Sequence, residues 1–144
     1  MSYAIDVNVL LFASDTASPH NARAVEFLTR CASDSETLCL GWPTLMGYLR
    51  MATHSSIFGA PLSVSEAQAN VESLIGLPHA RVLSELDTHW RTYCEITVGS
   101  AVRGNAVPDA HLAALLRQHG VKVLYTNDSD FRRFAFLDCR DPFS

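Results

Sequence analysis

The 144-residue chain has few charged residues and no long apolar stretch. Only 18% of its residues are charged and 48% are hydrophobic, a composition typical of a folded domain, which argues against a disordered chain. No apolar run approaches the ~18 residues of a membrane span, and the N-terminal stretch lacks the basic residues of a signal peptide. We therefore expect a soluble cytoplasmic protein that forms a single domain over residues 1–144.

Several familiar catalytic and binding motifs are also absent. The sequence has no GxSxG motif, no Gly-rich phosphate loop and no CxxC pair. The cysteines are scattered, which favours free thiols in an unexported chain and gives little support to a zinc site: Cys31, Cys39, Cys94 and Cys139. The net charge of −4 is not the basic excess common among nucleic-acid binders. It argues against such a partner only weakly, because a carboxylate cluster lowers the total charge even where arginines form a local basic groove.

Predicted strands and helices alternate along the chain. The strands are expected at Tyr3–Asp6, Thr37–Gly41, Ala80–Glu85 and Val121–Thr126. The helices are expected at Val7–Ser14, Pro19–Ser33, Pro43–His54, Ser63–Leu74, Thr88–Thr97 and Pro108–His119. Within them, we expect Ser65 to cap a helix and Trp90 and Tyr93 to face inward. The alternation predicts an α/β fold, a three-layer α/β/α sandwich with a central parallel sheet.

Three aspartates are predicted to meet at one edge of that sheet. Asp6 ends the first strand, and Asp128 follows the last predicted strand. Asp109 begins the helix that leads into that last strand, and such a helix starts near the carboxyl end of a neighbouring strand. Residues from opposite ends of the chain are therefore expected to be neighbours in space.

Each aspartate also has a purely structural explanation. Asp6 fits the N-cap of a helix, Asp109 suits a first helical turn, and Asp128 suits an Asx-turn. Three carboxylates at one edge would nevertheless repel one another, and a hard divalent cation would remove that conflict. Mg²⁺ or Mn²⁺, which prefer oxygen ligands, would also support hydrolysis of a phosphodiester by water.

Six segments of the chain, in order, match one known family: "IDVNVLLFA", "HNARAVEFL", "WPTLMGYLRMATHSSIF", "GNAVPDAHLAALLRQHG", "LYTNDSDFRRF" and the terminal "DPFS". In these segments the sequence resembles the PIN-domain family, specifically the VapC-type toxins of bacterial toxin–antitoxin pairs. An N-terminal DxN joined to DAHLAAL and TxDxDF is a more specific signal than any one of these motifs alone.

The resemblance implies a PIN fold and a Mg²⁺- or Mn²⁺-dependent endoribonuclease that cleaves structured RNA such as tRNA or rRNA. It also implies a homodimer and a cognate VapB-type antitoxin that blocks the site. Carried over by position, the catalytic and metal-holding acids are Asp6, Asp109 and Asp128. Supporting polar residues lie beside them in the sequence: Asn8, Thr126 and Asp130.

One departure from the family pattern concerns the third helix. PIN nucleases usually carry a glutamate near its start, at about Leu45–Gly47 here, whereas "WPTLMGYLR" contains no acid. Three accounts remain open: three acids and water suffice, the chain is weakened or engineered, or it binds without cutting. The last account gives the alternative function, a catalytically weak or inactive PIN domain that binds RNA or the antitoxin.

A few basic residues near these motifs also have two interpretations. Arg50 either holds a phosphate through its guanidinium or forms a structural ion pair. His111 is expected on a different helix face from Asp109, as a packed or surface residue. Arg132 and Arg133 are expected on a solvated face, although contact with an RNA backbone is the alternative. A receiver-like domain is disfavoured, because the early acid stands alone and the only lysine lies inside a predicted strand.

Overall fold

Strands and helices alternate along most of the chain in the computed structural model, which describes Met1–Ser144. The strands are β1 (Ser2–Ile5), β2 (Thr37–Gly41), β3 (Ala80–Leu83), β4 (Val123–Tyr125) and β5 (Asp138–Arg140). The helices are α1 (Val7–Ser14), α2 (Asn21–Ser33), α3 (Trp42–Ala52), α4 (Val64–Ile75), α5 (His89–Thr97) and α6 (Ala106–Gln118). A 3₁₀ helix, Ser129–Arg133, lies between β4 and β5.

The strands form one parallel sheet in the order β3-β2-β1-β4-β5. The central strand β1 pairs with β2 on one side and with β4 on the other, and Ile5 at its end lies opposite Tyr125. Because parallel strands share one carboxyl edge, residues that follow β1 and β4 meet there. The predicted α/β fold with a central parallel sheet is confirmed.

Helices cover both faces of the sheet and bury two apolar layers. Alternate side chains of β1 point to opposite faces, with Tyr3 and Ile5 in one cluster and Ala4 in the other. The first cluster packs against α1 to α4, whereas the second packs against α6, whose Leu115 and Leu116 are fully buried. This is the predicted three-layer α/β/α sandwich.

The structure differs from the predictions in one additional strand, in the start of one helix and in the cap of another. Strand β5 was not predicted, since three residues, two of them charged, are too few to show a strand pattern. Helix α6 begins at Ala106, two residues before Pro108, where the missing N–H of proline is tolerated within the first turn. The N-cap of α4 is Ser63, not Ser65, because Ser63 and Glu66 form a reciprocal capping box.

Helix α5 buries less apolar surface than predicted. Its expected inward residue Trp90 is 74% exposed, so that prediction is wrong. The indole stacks on Tyr93 with ring centroids 5.9 Å apart, and Tyr93 and Ile96 form the contact with the core. No residue of α5 is fully buried, because the helix lies on the outside of α6 without a further element above it.

None of the helices has both the length and the apolar character that crossing a membrane requires.

All four cysteines carry free thiols, with Cys31 and Cys39 buried in the core and Cys94 exposed. Burial raises the pKa of the Cys31 and Cys39 thiols, which keeps them in the protonated, unreactive form.

We expect Ser63→Ala to lower the free energy of unfolding by about 1 kcal/mol, because the N–H of Glu66 loses its acceptor. Ser65→Ala is the matched control, since Ser65 caps no backbone N–H and should cost little. Urea denaturation of both variants measures the difference. Equal stability of the two variants would contradict the assignment of the cap.

Candidate functional site

Three carboxylates form a cluster at the carboxyl edge of the sheet. Oxygens of Asp109, Asp128 and Asp130 all lie within 4.8 Å of one another. Asp109 comes from the first turn of α6, whereas the other two lie in the turn after β4. Carboxylate oxygens at this separation fall within the reach of one shared cation.

Asp6 lies beside this cluster and is held in a fixed orientation. Its carboxylate is 4% exposed and accepts a hydrogen bond from the Thr126 hydroxyl at 2.8 Å. The same hydroxyl oxygen accepts from the backbone N–H of Asp128 at 3.0 Å. Thr126 therefore ties the end of β1 to the turn after β4, and it aligns two acids from opposite ends of the chain.

The local conformation after β4 follows from ordinary turn chemistry. The Asp128 side chain accepts from the N–H of Asp130 at 2.9 Å and so caps the 3₁₀ helix. Asp6 occupies the N-cap position of α1 but makes no side-chain capping bond there. Of the structural explanations for these aspartates, the Asx-turn at Asp128 is therefore present, whereas the carboxylate of Asp6 is directed to Thr126.

Burial and the neighbouring negative charges both affect the pKa of Asp109. Burial and then the negative charges of Asp128, Asp6 and Asp130 raise the pKa of Asp109 from 3.8 to about 6, and Arg133 opposes the shift. Burial also raises the pKa of Asp6, where the Thr126 hydrogen bond opposes the shift and the charge of Asp128 adds to it. A cluster with these properties favours a bound proton or cation over free carboxylates.

A cleft of about 320 Å³ opens beside Asp6 and Asp109. Its opposite wall is formed by α3, through Met46, Gly47 and Arg50. Arg50 is exposed and takes part in neither of the two salt bridges in the structure. The side chains that line the cleft therefore include two carboxylates, one free guanidinium and several apolar groups.

His111 lines this cleft too, but its ring is directed to residues outside the aspartate cluster, as expected for a packed or surface histidine. Its Nε2 lies 2.6 Å from Glu85 Oε1, in the loop after β3, and its ring packs against His89. This contact joins α6 to the loop before α5. Sequence reasoning missed the role of Glu85, because no local pattern indicates which residue of a distant loop will reach a helix.

The remaining residues named in the sequence analysis lie at several positions around the acid cluster. Asn8 is half-buried in the first turn of α1. Asp130, predicted only as a supporting residue, belongs to the closest group of carboxylates, whereas Asp6 lies just outside that group. Arg132 and Arg133 are exposed on the 3₁₀ helix.

The donor set fits a hard divalent cation. All of the clustered ligand atoms are carboxylate oxygens, which Mg²⁺ and Mn²⁺ prefer. No cysteine or histidine belongs to the group, so a zinc site of the usual tetrahedral kind does not fit. Asp109, Asp128 and Asp130 can share one ion, whereas Asp6, held by Thr126, lies next to this group of three.

Comparison with protein families and curated proteins gives consistent matches. The PIN domain model matches residues 3–137. Ribonuclease VapC48 of Mycobacterium tuberculosis is 40% identical over 144 residues, which cover 100% of this chain and 99% of the relative. The VapC ribonuclease Mb2897 of Mycobacterium bovis is 33% identical over 138 residues, which cover 96% of this chain and 93% of the relative.

Solved structures share the same fold at low sequence identity. VapC20 of Mycobacterium tuberculosis, a sarcin-ricin loop cleaving toxin, aligns with a TM-score of 0.70 at 17% identity, covering 96% of this chain and 98% of that chain. VapBC2 of Rickettsia felis, bound to a DNA fragment from its promoter, aligns with a TM-score of 0.69 at 15% identity, covering 98% of both chains.

We expect Asp109→Asn to stabilise the metal-free protein relative to wild type, and increasingly so as the pH rises. The folded-state pKa of about 6 exceeds the ordinary 3.8, so the folded state binds the proton more tightly. The stability that this carboxyl contributes is therefore present at low pH and lost as the pH rises through about 6. Denaturation of both proteins from about pH 4 to about pH 7, in the presence of a chelator, measures the difference.

Glu72→Gln is the control, because this exposed residue of α4 lies outside the cluster. Its stability relative to wild type should not follow the same pH course. A constant difference between Asp109→Asn and wild type over the whole pH range would contradict the clustering of charge around Asp109.

Proposed function

The chain belongs to the PIN-domain family and to its VapC ribonucleases, and we propose that it is a metal-dependent endoribonuclease that acts as the toxin of a type II toxin–antitoxin pair. The substrate class is structured RNA, such as tRNA or rRNA. One observation carries the proposal: carboxylates from distant parts of the chain converge beside an open cleft at the carboxyl edge of the sheet.

The cofactor we propose is Mg²⁺, with Mn²⁺ as a substitute, held by the close group of Asp109, Asp128 and Asp130 and, from beside it, by Asp6. When bound, such an ion supplies positive charge that balances the carboxylates and the phosphodiester, and it activates water for hydrolysis. The oxygen-only donor set and the raised pKa of Asp109 support this assignment.

The chain's own residues then orient the reactants. Thr126 fixes the carboxylate of Asp6. Because this carboxylate is already oriented, it does not have to reorganise when the substrate arrives. Arg50, free of any ion pair and facing the same cleft, is placed to bind a phosphate of the RNA. Asn8, in the first turn of α1, is proposed to orient a ligand or water.

Unpaired segments of the RNA are the physically reasonable target. In-line attack on a phosphodiester requires an accessible and flexible backbone, and proteins read RNA sequence mostly in loops and single strands. Two residues of the α3 wall of the cleft, Met46 and Arg50, are exposed, so an extended strand can reach them from solvent.

We propose two protein partners in the cytoplasm, a second copy of this chain and a VapB-type antitoxin that blocks the cleft. Solved neighbours of the same fold are VapBC complexes, including those from Rickettsia felis and Haemophilus influenzae. A small gene upstream that encodes a DNA-binding antitoxin would support the pairing. Co-expression of that gene should relieve growth arrest caused by this chain.

One observation favours an alternative, a PIN domain that binds RNA or its antitoxin without cutting. The α3 wall of the cleft presents Met46, Gly47 and Arg50 and contains no carboxylate. Calorimetric Mn²⁺ titration combined with cleavage of total RNA separates the two functions. Metal binding without cleavage at high protein concentration would favour the alternative.

We expect Asp109→Asn and Asp6→Asn each to abolish RNA cleavage and to relieve growth arrest in a bacterial host, with the fold intact. Each change removes one negative oxygen from the proposed metal ligands. Cleavage of total RNA and circular dichroism measure activity and fold, and Glu72→Gln serves as the control. Full activity of either aspartate variant would remove that residue from the catalytic assignment.

We also expect Arg50→Ala to weaken RNA binding and to reduce the slope of log affinity against log salt by about 0.7, the value for one phosphate contact on a single strand. Arg50→Lys should restore part of the salt slope but not the bidentate contact. Arg81→Ala, an exposed arginine on β3, is the matched control. An unchanged salt slope in Arg50→Ala would exclude a phosphate contact at this position.

A further inference from the structure

Gly47 is an interior residue of α3 that the fold itself does not require. Glycine in a helix interior is less stable than alanine, so its presence needs a reason. Its backbone has no positive φ, unlike Gly99, Gly104 and Gly120. A Cβ at this position would meet only Met51 Cε at 3.7 Å and Val7 Cγ2 at 3.8 Å, which are ordinary contacts.

Gly41, which directly precedes α3, lies in a more crowded position. A Cβ there would lie 2.8 Å from Leu115 Cδ2, so the Leu115 side chain of α6 would have to shift. No such neighbour stands over Gly47. Because position 47 has no side chain, there is free space over its backbone. This space is part of the cleft beside Asp6 and Asp109.

The surroundings of this space have the character of a nucleobase site. Pro43 and Met46 provide an apolar wall, and the thioether of a methionine packs well against aromatic rings. Met46 is 48% exposed, so about half of its surface is open to a ligand. The cleft volume of about 320 Å³ lies at the lower end of the range of small-molecule sites, which fits one base with part of its sugar.

The same cleft holds groups for the phosphate that adjoins such a base. Asp6 and Asp109 lie on one side of the space over Gly47, and Arg50 lies one helical turn beyond it on α3. A nucleotide whose phosphate lies at the acids would therefore place its base toward α3. A bulky side chain at position 47 would occupy that volume.

We propose that the space over Gly47 is a subsite for one unpaired nucleobase next to the scissile phosphate, and that Gly47 determines which base is accepted. This inference rests on the proposed ribonuclease function and adds a specificity element to it. The subsite recognises the base through shape and apolar contact with Met46, whereas the acids and Arg50 act on the backbone. Duplex RNA is excluded, because a paired base cannot enter the cleft.

The test compares wild type with Gly47→Ala and Gly47→Leu. Both replacements are good helix formers, and the first adds only a Cβ at contact distances that proteins tolerate. Ala69→Leu, an exposed position on α4, is the control for adding a leucine to a helix surface. Short single-stranded RNAs that differ only in the base beside the cleavage point serve as substrates.

We expect Gly47→Leu to raise KM by about tenfold or more for the preferred base and to flatten the preference among bases, with kcat changed far less. Gly47→Ala should show a smaller effect in the same direction, and Met46→Ala should raise KM by removing the apolar wall. Mn²⁺ affinity should be the same in wild type and all three variants. Free nucleosides, which carry no phosphate, should inhibit wild type competitively and Gly47→Leu much less.

The outcomes distinguish this inference from the function on which it rests. If wild type cleaves RNA but Gly47→Leu keeps the KM and base preference of wild type, the subsite is excluded and the ribonuclease function stands. Loss of Mn²⁺ affinity in Gly47→Leu would also overturn it, because the residue would then act on the metal ligands. If wild type cleaves no RNA under any condition, the proposed function and the subsite fail together.

Discussion

Repulsion among carboxylates at the carboxyl edge of the sheet is the constraint on which the site depends. The parallel pairing of β1 with β4 brings Asp6 close to the turn that carries Asp128, and α6 adds Asp109 from the side. The hydrogen bonds of Thr126 hold Asp6 and Asp128 in place although their negative charges repel each other. Such an arrangement is stable when a cation or a proton balances the charge, and burial together with the neighbouring carboxylates raises the pKa of Asp109 to about 6.

The two walls of the cleft carry different chemical groups. The wall that carries Asp6 and Asp109 provides negative charge for a metal ion, whereas α3 provides a free guanidinium and apolar groups. A nucleotide has a matching division into a charged phosphate and a flat aromatic base whose faces pack against apolar groups. The absence of an acid from α3, which departs from the usual PIN pattern, is therefore consistent with a wall that contacts the base through Met46 and the space over Gly47.

Much of the fold and the site could be predicted from the sequence, because local patterns and parallel topology agree. Helix α1 and strand β2 were predicted with their observed boundaries, and the convergence of Asp6, Asp109 and Asp128 followed from the carboxyl-edge rule. Features that depend on tertiary contacts were not predictable. They include the short edge strand β5, the exposure of Trp90, the pairing of His111 with Glu85 and the closeness of Asp130 to Asp109.

The central claim is that these aspartates share a divalent cation at the sheet edge. Anomalous diffraction from crystals soaked in Mn²⁺ tests it most directly, since the anomalous signal locates the metal without reference to activity. The account predicts a peak within ligand distance of Asp109 and Asp128, on the side facing Asp6. A fully soaked crystal with no peak at this position, or with its only peak elsewhere on the protein, would contradict the account.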